Sequence, residues 1–188
     1  MLDRAAAMAL LREYTKSESL LKHALAVEAA MRAYARKYGE DEEQWGVVGL
    51  LHDFDYEIHP TAAEHPAEGA RILAERGYPE DVVYAIQAHG EILGLPRKRK
   101  MDQALYAVDE LAGFIIAVAL VRPSKSIAEV DVAAVRKKMK DKAFARAVHR
   151  EQIAAGAEEL GVPLDEHVAA VIAALQSIAG ELGLQGQA

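Results

Sequence analysis

From position 102 the chain reads Asp102-Gln103-Ala104-Leu105-Tyr106-Ala107-Val108-Asp109-Glu110-Leu111 and then continues without a polar residue through Val121. The signals predict one strongly apolar helix from about Asp102 to Val121, which Arg122-Pro123-Ser124 breaks. The unbroken apolar run, Leu111 to Val121, is 11 residues. That is too short to cross a hydrocarbon layer of about 30 Å as a helix, so it reads as a buried core element. Within it Leu105, Asp109, Ala112 and Ile116 follow steps of four, three and four, and so share one face. Asp109 therefore lies on the apolar stripe. A lone buried carboxylate costs roughly several kcal/mol unless it is paired or metal-bound, so a partner is required.

Other helices supply candidates. Leu20, His23, Val27 and Met31 share a face, as do Trp45, Val48 and His52, and Val82, Ile86 and His89. Each of these His residues alone is compatible with a satisfied core imidazole. Together with Asp109, and with Asp53 directly after His52, they form a set of good ligands for a divalent ion, pointing inward from four separate helices. Imidazole and carboxylate donors suit Mn, Fe, Co, Ni or Zn, and Mg where few imidazoles bind it. The chain contains no Cys, which excludes disulfides, thiolate nucleophiles and Cys-based zinc sites.

The surrounding punctuation is helical throughout. Thr15-Lys16-Ser17-Glu18 has the form of a capping box opening a helix that Gly39 stops after Tyr38, and Asp41-Glu42-Glu43-Gln44 opens the next. His65-Pro66 begins a helix to about Arg76, and Pro79-Glu80-Asp81 begins one to His89. Past residue 121 the signals predict helices over about 131–140, 141–160 (capped by Asp141) and 164–183. With 37 Ala, four Phe and Trp together and no β-branched alternation, the expectation is an all-α fold. Its 188 residues suit one domain, with the ligand-bearing core over about 18–120 and a C-terminal helical extension over about 121–188. Ala5 to Leu11 is flanked by charges in a way that suits an amphipathic helix better than a secretory signal, so a cytoplasmic protein without a membrane partner is expected. In the extension Val168, Val171, Ile172, Leu175 and Ile178 could pack on their own domain or on a second copy, leaving a homo-oligomer open.

The order His23, His52-Asp53, Asp109 resembles the signature of the HD superfamily of metal-dependent phosphohydrolases. The segments His65-Pro66 with Gly69-Ala70, Ala85-Ile86-Gln87-Ala88-His89 and Leu105 to Leu111 resemble its HDIG-type subgroup, over roughly residues 18 to 120. Phe54-Asp55-Tyr56 stands where that subgroup has Ile-Gly-Lys. The resemblance implies an HD-type helical bundle in which His23, His52, Asp53 and Asp109 hold one metal, and His65 and His89 add a second with Asp53 bridging. It implies hydrolysis of a small phosphate ester such as a nucleotide by a metal-activated water. Relatives of the fold that use a di-iron pair to activate oxygen, and a non-catalytic nucleotide-binding module, are the alternatives.

A leaving group needs an acid and phosphoryl oxygens need cations. Asp55, Glu57 and Glu91 lie close in sequence to the presumed ligands and are candidates, beside Asp53, for the catalytic carboxylates. The net charge is −7, yet residues 97–150 carry 13 Lys and Arg against six Asp and Glu. That local excess makes Arg122, Lys125, Lys137 and Lys138 candidates for the substrate phosphate, and favours a small anionic substrate over a large nucleic acid. His59 reads as a loop residue, and His149 and His167 as surface or interhelical packing.

Overall fold

The computed structural model describes residues 2–186. Among them the regular structure is helical: α1 (Arg4–Tyr14), α2 (Glu18–Tyr38), α3 (Glu42–Leu51), α4 (Ala67–Glu75), α5 (Glu80–Ala88), α6 (Lys100–Leu120), α7 (Val132–Met139), α8 (Arg150–Leu160), α9 (Leu164–Ser177) and α10 (Ala179–Leu182). A short 3-10 turn, Ile127–Glu129, precedes α7, and an isolated bridge joins Ser126 to Gln185. The all-α expectation holds.

The apolar stripe of α6 explains its place at the centre. Leu105, Leu111, Phe114 and Ile115 are fully buried, and α2, α8 and α9 pack around them. Among the described residues α6 alone is long and apolar enough to cross a membrane by composition, and most of it is buried inside the bundle. Val168, Val171 and Leu175 of α9 are likewise buried against α2 and α6 of their own chain. His167 is the polar member of that contact. Its Nε2 donates to the Ala107 carbonyl of α6 at 2.8 Å, and its Nδ1 accepts from the Tyr34 hydroxyl of α2 at 2.6 Å.

Two glycines set how closely the helices approach. A Cβ on Gly156 of α8 would lie 2.6 Å from the Ala107 Cα, and one on Gly49 of α3 would lie 2.9 Å from the Val27 carbonyl oxygen of α2. Backbone on both sides leaves neither contact free to relax. Gly156→Ala is therefore expected to cost about 1–3 kcal/mol by overpacking, read as a lower thermal midpoint with helical content retained.

Helix ends agree with the sequence where one side chain decides them. Asp41 accepts from the Glu43 and Gln44 amides, and Gly39 adopts the left-handed backbone (φ 71°) that closes α2. Four boundaries differ. The helix expected over 164–183 closes at Ser177, and the short α10 (Ala179–Leu182) follows it. The Thr15 to Glu18 capping box does not form: Thr15 donates its hydroxyl to the Phe54 carbonyl, and the Lys16 and Ser17 amides are taken by Glu57. The apolar helix begins at Lys100, with Asp102 reaching back to the Lys98 and Arg99 amides. The helix foreseen from residue 141 begins only at Arg150. Ala145 takes a left-handed turn (φ 42°), and the Arg150 guanidinium satisfies the carbonyls of Asp141, Phe144, Ala145 and Val148 that a helix would otherwise occupy.

Candidate metal centre

Five elements deliver six side chains to one place. His23 comes from the second turn of α2, His52 and Asp53 from the end of α3, His65 from just before α4, His89 from the end of α5, and Asp109 from the middle of α6. The His23 Nε2 lies 3.2 Å from the His52 Nε2, 3.0 Å from the Asp109 Oδ1 and 3.9 Å from the Asp53 Oδ2. The His52 Nε2 is 3.4 Å from both the Asp53 Oδ2 and the Asp109 Oδ1. On the other side of the same carboxylate, the Asp53 Oδ1 is 3.1 Å from the His65 Nε2 and 3.3 Å from the His89 Nε2. Two donor sets thus share Asp53, each through its own oxygen. Donors about 2.1 Å from one ion are separated by about 3.0–3.4 Å in octahedral or tetrahedral arrangement, which is close to the spacing found.

The imidazoles are fixed with one nitrogen facing inward. His52 donates its Nδ1–H to the Gly49 carbonyl (2.8 Å), His89 to the Ile86 carbonyl (2.6 Å) and His65 to the Asp55 Oδ1 (2.9 Å). A carbonyl can only accept, so Nδ1 carries a proton and Nε2 is the nitrogen that faces the shared carboxylates. Asp55 is itself pinned by the Gly69 amide at 2.8 Å, where a Cβ would meet its carboxyl carbon at 2.7 Å. Gly69 is glycine because the buried carboxylate occupies that space.

Electron-rich donors this close demand positive charge. Burial works against a charged His52, yet the Asp53 and Asp109 carboxylates hold its pKa well above the usual imidazole value. Burial likewise opposes a charged Asp53, and His52 before His65 and His89 pulls its carboxyl well below the usual range. His65 is raised to about 9, burial being outweighed by its bonds to Asp53 and Asp55. A divalent cation would meet this demand by coordination, and nitrogen and carboxylate donors in this number fit such an ion.

The centre opens into a cleft of about 720 Å³, lined by the ligands other than His52 and by Tyr56, Glu91, Ile92, Glu110, Ala147 to His149 and Gln152. No Lys or Arg lines it among the described residues. Arg122, Lys125, Lys137 and Lys138 are thus not brought to the cleft: Arg122 lies 3.8 Å from Glu129, and the Lys138 ammonium sits over the Phe144 ring. The local charge excess belongs to the outer face of the extension and to the 97–100 turn.

The candidate acids part company as well. Asp55 is fully buried behind His65, and Glu57 caps α2 through the Lys16 and Ser17 amides. Glu91 does reach the cleft, accepting from the Tyr106 hydroxyl at 2.9 Å. His59 is a loop residue beside Glu64. His149, expected at the surface or between helices, is exposed and lines the cleft, held by the Glu110 carboxylate. Glu110, next to Asp109 in the chain, was the sequence signal for it, but its partner lies 39 residues away.

A helical bundle carrying this His and Asp constellation defines a class. The family model described as HD domain matches residues 20–113, half of the chain, and the chain belongs to that family. The family's metal dependence agrees with the donor cluster. Part of the chain is similar to curated proteins named Ribonuclease Y. It is 31% identical to the one from Oleidesulfovibrio alaskensis over 98 residues and 32% identical to one from Nitratidesulfovibrio vulgaris over 98, in each case 52% of this chain and 18% of the relative. The similarity to that of Desulfotalea psychrophila is 31% over 97 residues. The chain thus spans about a fifth of the length of these relatives. No solved structure matches.

Proposed function

We propose that the chain is a metal-dependent phosphohydrolase acting on a small phosphate ester such as a nucleotide. The observation that carries this is the shared carboxylate: Asp53 presents one oxygen to His23, His52 and Asp109 and the other to His65 and His89. Divalent ions bound by such sets supply an ionised water near neutral pH and neutralise phosphoryl charge.

The protein's own part is arrangement. The Gly49 and Ile86 carbonyls and the Asp55 carboxylate hold His52, His89 and His65 in the ligating tautomer, so no imidazole must turn for an ion to enter. Asp55 is a positioning residue for His65 in this reading. Among the described residues four carboxylates, Asp53, Glu91, Asp109 and Glu110, line the cleft with no Lys or Arg. Ions held by those ligands would therefore supply most of the positive charge that admits a phosphate. The cleft's size suits a small substrate, and a polyanionic strand would meet no basic track along it.

The test is turnover of nucleoside monophosphates, cyclic nucleotides and short RNA with Mn, Co, Ni or Mg, with bound metal measured by elemental analysis. Metal-dependent hydrolysis of a small ester is expected. No turnover by fully loaded protein overturns the proposal, and turnover of RNA alone overturns the substrate class. A finer check addresses the second donor set. Gly69→Ala pushes on Asp55 and so on His65, and is expected to weaken the ion held by Asp53, His65 and His89 about 10–100-fold while the other stays, as read by calorimetric metal titration.

A further inference from the structure

We propose that His149 is a catalytic residue of this cleft, the proton donor to the leaving-group oxygen; the proposal rests on the hydrolytic reading above. Ester hydrolysis leaves an alkoxide that must be protonated, and the acids near the centre are otherwise engaged. Asp53 and Asp109 face the donor sets, Asp55 is buried behind His65, and Glu57 is tied to the start of α2. Glu91 is tied to α6, accepting from the Tyr106 hydroxyl at 2.9 Å.

His149 stands differently. It sits at the start of α8 with its side chain largely exposed to the cleft, and Glu110 grips it twice: Oε1 takes the ring Nδ1 at 2.9 Å and Oε2 takes the backbone amide at 3.1 Å. Glu110 follows Asp109 on α6, so one carboxylate ties the imidazole to the helix that carries a metal ligand. With Nδ1 donating to Glu110, Nε2 is the ring's remaining polar atom and makes no hydrogen bond among the described residues. Glu110 first, and then Glu151 and Glu91, favour the imidazolium against slight burial. A carboxylate that orients an imidazole while its far nitrogen faces substrate is the arrangement an acid needs.

In the step, a water oxygen bonds to phosphorus and the P–O ester bond breaks with its electron pair on the leaving oxygen. The Nε2 proton passes to that oxygen, Nδ1–H stays on Glu110, and the proton released by the attacking water restores Nε2 through solvent. The products are the alcohol and the phosphate.

The experiment compares full-length wild type, His149→Gln and His149→Ala, each with equal bound Mn by elemental analysis, on phenyl and p-nitrophenyl phosphate. The poor leaving group needs the proton and the good one does not. Both variants are expected to lose about 10²-fold or more in kcat on the phenyl ester and less than about 10-fold on the nitrophenyl ester. Gln keeps a donor for Glu110 but has no proton to transfer, so recovery of phenyl ester turnover in His149→Gln shows a merely structural role and overturns the proposal. Equal loss on both esters, or no loss on either, overturns it too while leaving the metal reading intact. Failure of fully loaded wild type on both esters and on the nucleotide panel overturns the hydrolytic reading and this proposal with it. A readout independent of turnover is the 15N resonance of the His149 Nε2 in Mg-loaded protein. It is expected to move as inorganic phosphate is added, and a signal unmoved at saturating phosphate counts against the contact.

Discussion

Asp53→Ala is expected to abolish metal-dependent turnover, a loss on the order of 10³-fold or more, and to lower bound metal below the wild-type stoichiometry. The reason is its dual position. Among the described residues no other side chain offers one oxygen to His52 at 3.4 Å and the other to His65 at 3.1 Å and His89 at 3.3 Å. A bound ion contributes several kcal/mol of charge stabilisation in the transition state, and each 1.36 kcal/mol is tenfold in rate. His52, a neighbour in sequence, gives a useful contrast. His52→Ala removes a donor from one set only, so it is expected to spare the ion held by Asp53, His65 and His89. Elemental analysis of both variants, with circular dichroism to show retained helix, decides the matter. If Asp53→Ala keeps full metal and turns substrate over within about tenfold of wild type, the shared carboxylate is not the pivot of the site.

The site was legible where a polar residue interrupted a helical period. His23, His52, His89 and Asp109 sit on apolar stripes, and a stripe that must face a core points its polar member inward too. The same logic gave the helices and their central element, because α6 is the most apolar stretch of the chain. It was blind to contacts made outside a period. Glu57 and Asp55 both follow Asp53 closely, yet one reaches to the start of α2 and the other folds back under His65, since residues 52–58 turn rather than continue α3. No spacing rule describes such a turn.

Charge was the weaker guide. A count along the chain located a basic segment but not the direction in which its side chains project, and the cleft turned out to be lined with carboxylates instead. His149 shows the converse. Its partner Glu110 is 39 residues distant, and the helix expected over 141–160 would have carried that residue through a regular turn. Arg150, by satisfying four carbonyls of the preceding turns, is what lets His149 stand at a helix start facing the cleft.

The second large effect concerns stability. His167→Ala is expected to cost about 2–4 kcal/mol, because it leaves a cavity between α2, α6 and α9 and strands the buried Tyr34 hydroxyl without its acceptor. The effect should depend on pH in one direction. Burial, with Lys37 adding to it against the pull of the Ala107 carbonyl, lowers the His167 pKa below the ordinary imidazole value. The unfolded chain then binds the proton more readily than the folded one, so this residue's contribution is present above about pH 6.5 and fades as pH falls through that value. Urea unfolding of wild type and His167→Ala at a series of pH values from 7 to 5 isolates the contribution, since every other titrating group is common to both. The gap between the two should narrow with acid. A gap that widens would mean that His167 is charged in the folded core, donating from both nitrogens, and the Tyr34 hydroxyl would then have to find another acceptor.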